Sequence, residues 1–178
     1  MKKEINYRLA NKNDVKKLSL LFKQVYIQIY GIDGVSDEYA NYITELFSEK
    51  RLHENICKYT DYLIVAEYKG NLVGVVKIDL NKKCPIGNLV ATELNKLYIL
   101  EWFCGQGIGY QLLAEVEKLL SAKGLREMWL WVYEENHRAI RFYERQNFVC
   151  IGKAPFQMET NKFENKVMLK KWQLSYLP

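Results

Sequence analysis

Histidine is scarce in this 178-residue chain: His53 and His137 are the only two, and neither sits at a metal-ligand spacing. The four cysteines, Cys57, Cys84, Cys104 and Cys150, are spread out and form no Cys-x-x-Cys pair. The thiols therefore read as free, and no metal site is expected. Apolar runs such as Leu72–Val76 fall far short of a bilayer span. The start, Met1-Lys2-Lys3-Glu4, lacks the apolar stretch of a signal peptide. A cytoplasmic location without membrane contact is expected. Repeats, low-complexity tracts and linkers are lacking too, so residues 1–178 read as one domain with one core. Nor is there a dense Lys/Arg run or a basic recognition helix. That sets a nucleic-acid partner aside despite a net charge of +5.

The charges that are present are unevenly spread. Residues 31–67 hold eight acids against three bases, a net of −5, and the remainder holds 13 acids against 23 bases, a net of +10. A basic body suits an anionic ligand, and an acidic lobe suits a cationic one. Solvated helix faces explain the same pattern, and from charge alone this plainer reading is the stronger.

The hydrophobic period orders the elements. Ile5–Leu9 alternates as a first strand. Asn13 or Asp14 caps a helix to about Tyr30, with Val15, Leu18, Phe22, Val25 and Ile29 at helical spacing. Ser36 caps a second helical region containing Tyr39, Ile43, Leu46 and Phe47, and Leu52–Ile56 adds a turn or helix. From Tyr62 the period changes to two. Tyr62–Tyr68 and Leu72–Leu80 form a hairpin across Lys69-Gly70-Asn71. Asn81–Asn88 reads as a loop and Glu93–Leu100 as the next strand. Ile108–Lys123 is a helix ended by Gly124, and Glu127–Tyr133 is a strand. Asn136 caps a helix through Gln146, and Asn147 suits the left-handed position after it. Phe148–Ile151 and Lys166–Trp172 read as final strands around a polar loop near Glu159–Asn165. The order is mixed α+β, an antiparallel meander followed by a β-α-β-α-β tail.

Cys104-Gly105-Gln106-Gly107-Ile108-Gly109 lies between an apolar strand and an amphipathic helix. A glycine turn that opens a helix presents unpaired N–H groups and positive dipole potential, which suits phosphate. A P-loop would need Gly-x-x-x-x-Gly-Lys-[Ser/Thr], which is missing. The dinucleotide fingerprint fails because Tyr110 stands where its third glycine belongs. Taken alone, the glycines are as well explained by a tight turn.

With these elements placed, the chain resembles the GCN5-related N-acetyltransferase (GNAT) superfamily. The family's turn is [Arg/Gln]-x-x-Gly-x-[Gly/Ala], here Cys104 to Gly109, with Cys104 at the Arg/Gln position. Its Asn-x-x-Ala-x-x-Phe-Tyr segment is here Asn136-His137-Arg138-Ala139-Ile140-Arg141-Phe142-Tyr143, followed by Asn147-Phe148. The resemblance implies a central twisted, mostly antiparallel sheet of six to seven strands flanked by helices. The N-terminal helices, the Leu130-Trp131-Val132 strand and Phe156-Gln157-Met158 most resemble the bacterial spermidine and polyamine acetyltransferases.

The resemblance also implies roles. Acetyl-CoA would be the co-substrate, with its pyrophosphate on Gly105, Gln106, Gly107, Ile108, Gly109 and Tyr110. Its pantetheine arm would pair with the backbone of Leu97, Tyr98 and Ile99, although Leu97 and Ile99 also read as core. Asn136 would contact the cofactor besides capping its helix. Tyr143 would be the general acid, since a phenol of pKa near ~10 stays protonated at neutral pH. Glu93, eleven residues before Cys104, has the spacing of a glutamate base. An exposed carboxylate at a strand start explains it equally, and Asp61 and Glu67 remain open. Gln106 is not assigned the side-chain contact that Cys104 gives up. A helix N-terminus favours the Cys104 thiolate, which makes it reactive without making it catalytic. The acceptor would be the primary amine of a small molecule, a polycation being suited to the acidic lobe and to Tyr26, Tyr30, Tyr39 and Tyr42. For any one of these tyrosines helix packing is the better reading. The alternatives are a protein N-terminal or lysine acetyltransferase and a non-catalytic CoA-binding regulatory module. Trp172 and Tyr176 are candidates for a homodimer contact or for packing on the core.

Overall fold

A short first strand and three α-helices up to residue 57, then strands interrupted by two further α-helices, set the order of elements. The computed structural model describes residues 3–31, 33–57, 61–157 and 162–173. It divides into two units, Met1–Ile78 with Lys96–Glu115, and Asp79–Asn95 with Val116–Pro178. Seven strands are hydrogen-bonded in one sheet, in the order first, second, third, fourth, fifth, seventh, sixth.

In the first unit β1 (Asn6–Leu9) pairs antiparallel with β2 (Asp61–Tyr68), Asn6 opposite Glu67 and Leu9 opposite Ile64. A 3-10 turn, Lys12–Asp14, leads into α1 (Val15–Tyr30). Asp14 stands at the N-cap of α1, as one of the two expected candidates, but makes no side-chain cap bond there, and Asn11 caps the 3-10 turn before it. The Asn11 side chain accepts from Asn13 N, and Asp14 Oδ2 accepts from Asn11 N at 2.9 Å. The extra 3-10 turn moves the unpaired N–H groups upstream, and the cap moves with them. Asp14 is 1% exposed and takes a two-pronged bond from Arg8 at 2.7 and 3.0 Å. That guanidinium holds the Asp14 carboxyl below the usual carboxylate range. Ser36 Oγ caps α2 (Asp37–Leu46), and α3 (Glu49–Cys57) follows. Leu18, Phe22, Tyr26, Ile43, Phe47, Leu52, Leu63, Val65 and Val75 close the core, with the Phe22 and Phe47 rings stacked 5.1 Å apart. Lys69 and Gly70 both have positive φ, the geometry of a two-residue hairpin turn.

β3 (Asn71–Lys83) and β4 (Val90–Ile99) follow, and each contributes residues to both units. β3 is longer than its sequence pattern. Asn81 is left-handed, and the strand continues through the polar Lys82, whose carbonyl accepts from Trp129 Nε1 at 3.4 Å. The loop expected at 81–88 is thereby reduced to the residues after Lys83.

α4 (Ile108–Ala122) begins in the first unit and ends in the second, and Gly124 past its end has φ of 74°. In the second unit β5 (Glu127–Tyr133) runs parallel to β4, Thr92 opposite Met128 and Glu93 opposite Trp129. α5 (His137–Arg145) leads to β6 (Val149–Gln157) and β7 (Lys162–Lys171). β7 lies between β5 and β6, antiparallel to both. Both last strands outrun their apolar patterns because they pair with each other as far as Gln157 opposite Lys162. Residues 162–165, expected in a loop, belong to β7. The rest of that loop from 159, along with Met158 and Tyr176, lies outside the described residues. Cys84, Ala91, Trp129 and Val167 form a core here, packed by Ile86, Leu89 and Trp131. Among the described residues no helix is long and apolar enough to cross a membrane.

Candidate functional site

In the first unit β4 ends in a 3-10 turn, Glu101–Phe103, that hands the chain to the glycine segment. Leu100 N donates to Val73 O at 3.0 Å, and Cys104 N donates to Glu101 O at 3.0 Å. Gly105 and Gly107 have φ of 73° and 80°, and a Cβ on either would meet no atom within 4 Å. Their backbone conformation and the open space above them, rather than crowding within the chain, are what a side chain would disturb. Gly105, Gln106 and Gly107 donate no backbone hydrogen bond among the described residues. Ile108 then starts α4, and a helix's first N–H groups have no partner within the helix. No acid stands in that first turn to offset the dipole. The arrangement is a run of unspent donors at a positive helix end, where a negative group is stabilised by about 0.3–2 kcal/mol from the dipole alone. It fits a pyrophosphate.

The side chains around the turn are otherwise engaged. Ile108 is buried and anchors it. Gln106 Nε2 donates to Trp102 O at 2.8 Å, so its amide braces the turn itself. Cys104 Sγ points back towards the carbonyls of Ile99 and Leu100, at 3.8 and 3.7 Å. Trp102 is 89% exposed and Tyr110 is exposed as well. Towards the end of β4 the Tyr98 side chain is buried, edge-on to Phe22, while Leu97 and Ile99 are half-buried. The pleat turns Tyr98 inward and puts Leu97 and Ile99 on the opposite face. Gly74 was missed by the sequence reading. A Cβ there would lie 3.3 Å from Ile99 Cγ1 and from Tyr98 O, so its bareness lets β3 pass close to the end of β4. The signal was a lone glycine inside a strand pattern.

In the second unit Glu93 and Asn95 share the half-buried face of β4, and Asn95 Nδ2 approaches Glu93 Oε1 at 3.5 Å. Asn136 caps α5, with Oδ1 accepting from Ala139 N at 3.1 Å. Tyr143 shares a helix face with Ile140 and is 9% exposed. Its ring meets Phe148 edge-on at 5.4 Å, and Phe148 N donates to Tyr143 O at 3.0 Å. Left-handed Asn147, φ 63°, makes that return possible. Glu67, one of the open candidates for a base, is taken by Arg8 at 2.5 Å, and the side chain of Asp61 lies outside the described residues.

Tyr26 and Tyr30 of α1 do come together with Tyr39 and Tyr42 of the acidic segment. Tyr26 lies 4.5 Å from Tyr30, 5.8 Å from Tyr42 and 6.5 Å from Tyr39, ring centre to ring centre. Tyr26 is buried, and burial pushes its phenol well above the usual range. Packing accounts for Tyr26, while the other three are half-buried. Trp172 bonds within its own chain, N to Arg126 O and Nε1 to Ser121 Oγ, a placement that needs no second copy.

Residues 32–148 match the model of the acetyltransferase (GNAT) family. The chain belongs to that family. This N-acetyltransferase is 31% identical over 145 residues to an N-acetyltransferase of Archaeoglobus fulgidus, covering 79% of this chain and 90% of that one. It is 29% identical over 132 residues to a spermidine N(1)-acetyltransferase of Thermoplasma acidophilum, covering 71% and 74%. In fold it is similar to the PaiA N-acetyltransferase of Thermoplasma acidophilum, crystallised with coenzyme A. That match has a TM-score of 0.73 at 24% identity and covers 95% of this chain and 99% of that one.

Proposed function

We propose that this GNAT enzyme transfers the acetyl group of acetyl-CoA directly to a primary amine of a small polycation, a polyamine being the leading acceptor. The observation that carries the cofactor half is the run of unspent N–H donors at Gly105, Gln106 and Gly107, continued by the start of α4. When bound, acetyl-CoA supplies the thioester. The N–H groups from Gly105 to Tyr110 hold the pyrophosphate, and the backbone of Leu97, Tyr98 and Ile99 pairs with the pantetheine arm and polarises the carbonyl. Asn136 holds the cofactor with the amide atoms its cap leaves over. Glu93 takes the proton that a primary ammonium must lose. As the nitrogen–carbon bond forms and the carbon–sulfur bond breaks, the nitrogen gives up its second proton to solvent, and the Tyr143 hydroxyl protonates the departing thiolate and is reloaded from solvent.

Three things support the polycation. The 31–67 segment is acidic, three of the four clustered tyrosines are half-buried, and a relative is named a spermidine acetyltransferase. The family match crosses both units, which supports reading 1–178 as one transferase domain. The four cysteines form no disulfide among the described residues, which accords with a cytoplasmic setting. The test is free-thiol release from acetyl-CoA with spermidine, spermine, a diamine, amino acids and a lysine peptide. Polyamine-dependent release is expected. Release with the lysine peptide alone would move the acceptor to protein, and silence with every amine while coenzyme A still raises the Tm would leave a cofactor-binding module.

A further inference from the structure

In the second unit a cavity of about 370 Å³ opens at the start of β4 and β5 and the end of β7. Thr92, Arg126, Glu127, Lys171 and Trp172 line it, with Asn81 at its rim. Thr92 is 2% exposed, and its Oγ1 has no hydrogen-bond partner among the described residues. Arg126 Nη1 is likewise buried without a partner among them. Buried polar atoms in native proteins are nearly always satisfied, so two residues with orphaned atoms lining the same cavity point to a polar ligand there. None of the residues assigned to acetyl transfer lines this cavity.

The surroundings select the chemistry. Lys171 Nζ pairs with Glu127 Oε2 at 3.0 Å, directly across the β5–β7 ladder, so those charges offset each other. Among the described residues no ion pair offsets Arg126, the other cation that lines the cavity. A guanidinium and a hydroxyl offer donors to one acceptor group with more than one lone pair, which is a carboxylate. Trp172 is fixed by two hydrogen bonds, and with Val90 and Leu125 it supplies an apolar wall. The volume falls in the range of small-molecule pockets. We propose that this cavity is a second ligand site, which binds a small monocarboxylate with an aromatic or aliphatic body on Arg126 and Thr92.

Isothermal titration with benzoate tests it, beside phenyl phosphate and benzylamine. Benzoate is expected to saturate one site, phenyl phosphate to bind more weakly because a dianion faces Glu127, and benzylamine not to bind. Arg126→Leu should raise the benzoate Kd by ~10-fold or more, and Thr92→Val by ~3-fold or more. Both variants should bind coenzyme A like the wild type. Without ligand, Thr92→Val should keep or raise the Tm, since it removes an unpaired hydroxyl at equal shape. Absence of saturable benzoate binding, undiminished binding in Arg126→Leu, displacement of benzoate by coenzyme A, or a lowered Tm in Thr92→Val would each overturn the proposal. Tighter phenyl phosphate than benzoate would overturn the carboxylate assignment.

Discussion

Gly107 and Gly34 separate two effects that a glycine-to-alanine change usually mixes. Both have positive φ, 80° and 100°, and at both a Cβ would meet nothing within 4 Å. Alanine at either site costs about 1–2 kcal/mol of backbone strain. Only Gly107 lies where phosphate is proposed to approach the backbone. Gly107→Ala is therefore expected to raise the coenzyme A Kd by ~10-fold or more, and Gly34→Ala to lower the Tm with coenzyme A affinity unchanged. Titration of both variants checks this; equal affinities would remove the turn from the cofactor site. Asp14 makes a different prediction. Its carboxyl titrates lower in the folded chain than the ~3.9 of an unfolded one, because Arg8 donates to it. The stabilisation is complete above that unfolded value and is lost as pH falls through the folded one. Thermal scans should show Asp14→Asn melting about 3–8 °C below the wild type at pH 7, with the gap closing below about pH 4. A gap independent of pH would contradict the linkage.

At the scale of elements, α5 was the most legible. Its cap at Asn136 and left-handed Asn147 stand where the sequence put them. Both signals are local, and each follows from one residue's chemistry. Asn136→Ala should cost about 1 kcal/mol through the lost cap, whereas Asn136→Ser should keep most of that stability. If Asn136 also touches the cofactor, both variants lose coenzyme A affinity; if it only caps, Asn136→Ser binds like the wild type. The misread elements were set by partners far away in sequence. β3 passes through Asn81-Lys82-Lys83 because Lys82 meets Trp129, and β6 and β7 extend because they pair with each other. Polar residues on such paired strands look like loop until the partner is known. α1 keeps Asp14 at its N-cap, but the side-chain cap lies upstream at Asn11, because a 3-10 turn precedes the helix and Asn11, Asn13 and Asp14 are all good caps.

For the whole molecule, the family and the sheet of seven strands followed from motifs strung along one segment, Glu93 to Phe148. The Thr92–Arg126 cavity did not, because it is made by residues 34 positions apart that carry no motif. Tyr143 is proposed to be the acid of acetyl transfer from acetyl-CoA. Thiol release from acetyl-CoA with spermidine, measured for wild type and Tyr143→Phe beside their coenzyme A affinities, addresses it directly. Phenylalanine keeps the ring against Phe148 and removes only the hydroxyl. The account predicts a kcat lower by ~100-fold or more with the coenzyme A Kd within about twofold of wild type. An unchanged kcat would contradict the role of Tyr143 as the acid, and no release by the wild type with any amine would contradict acetyl transfer as its activity.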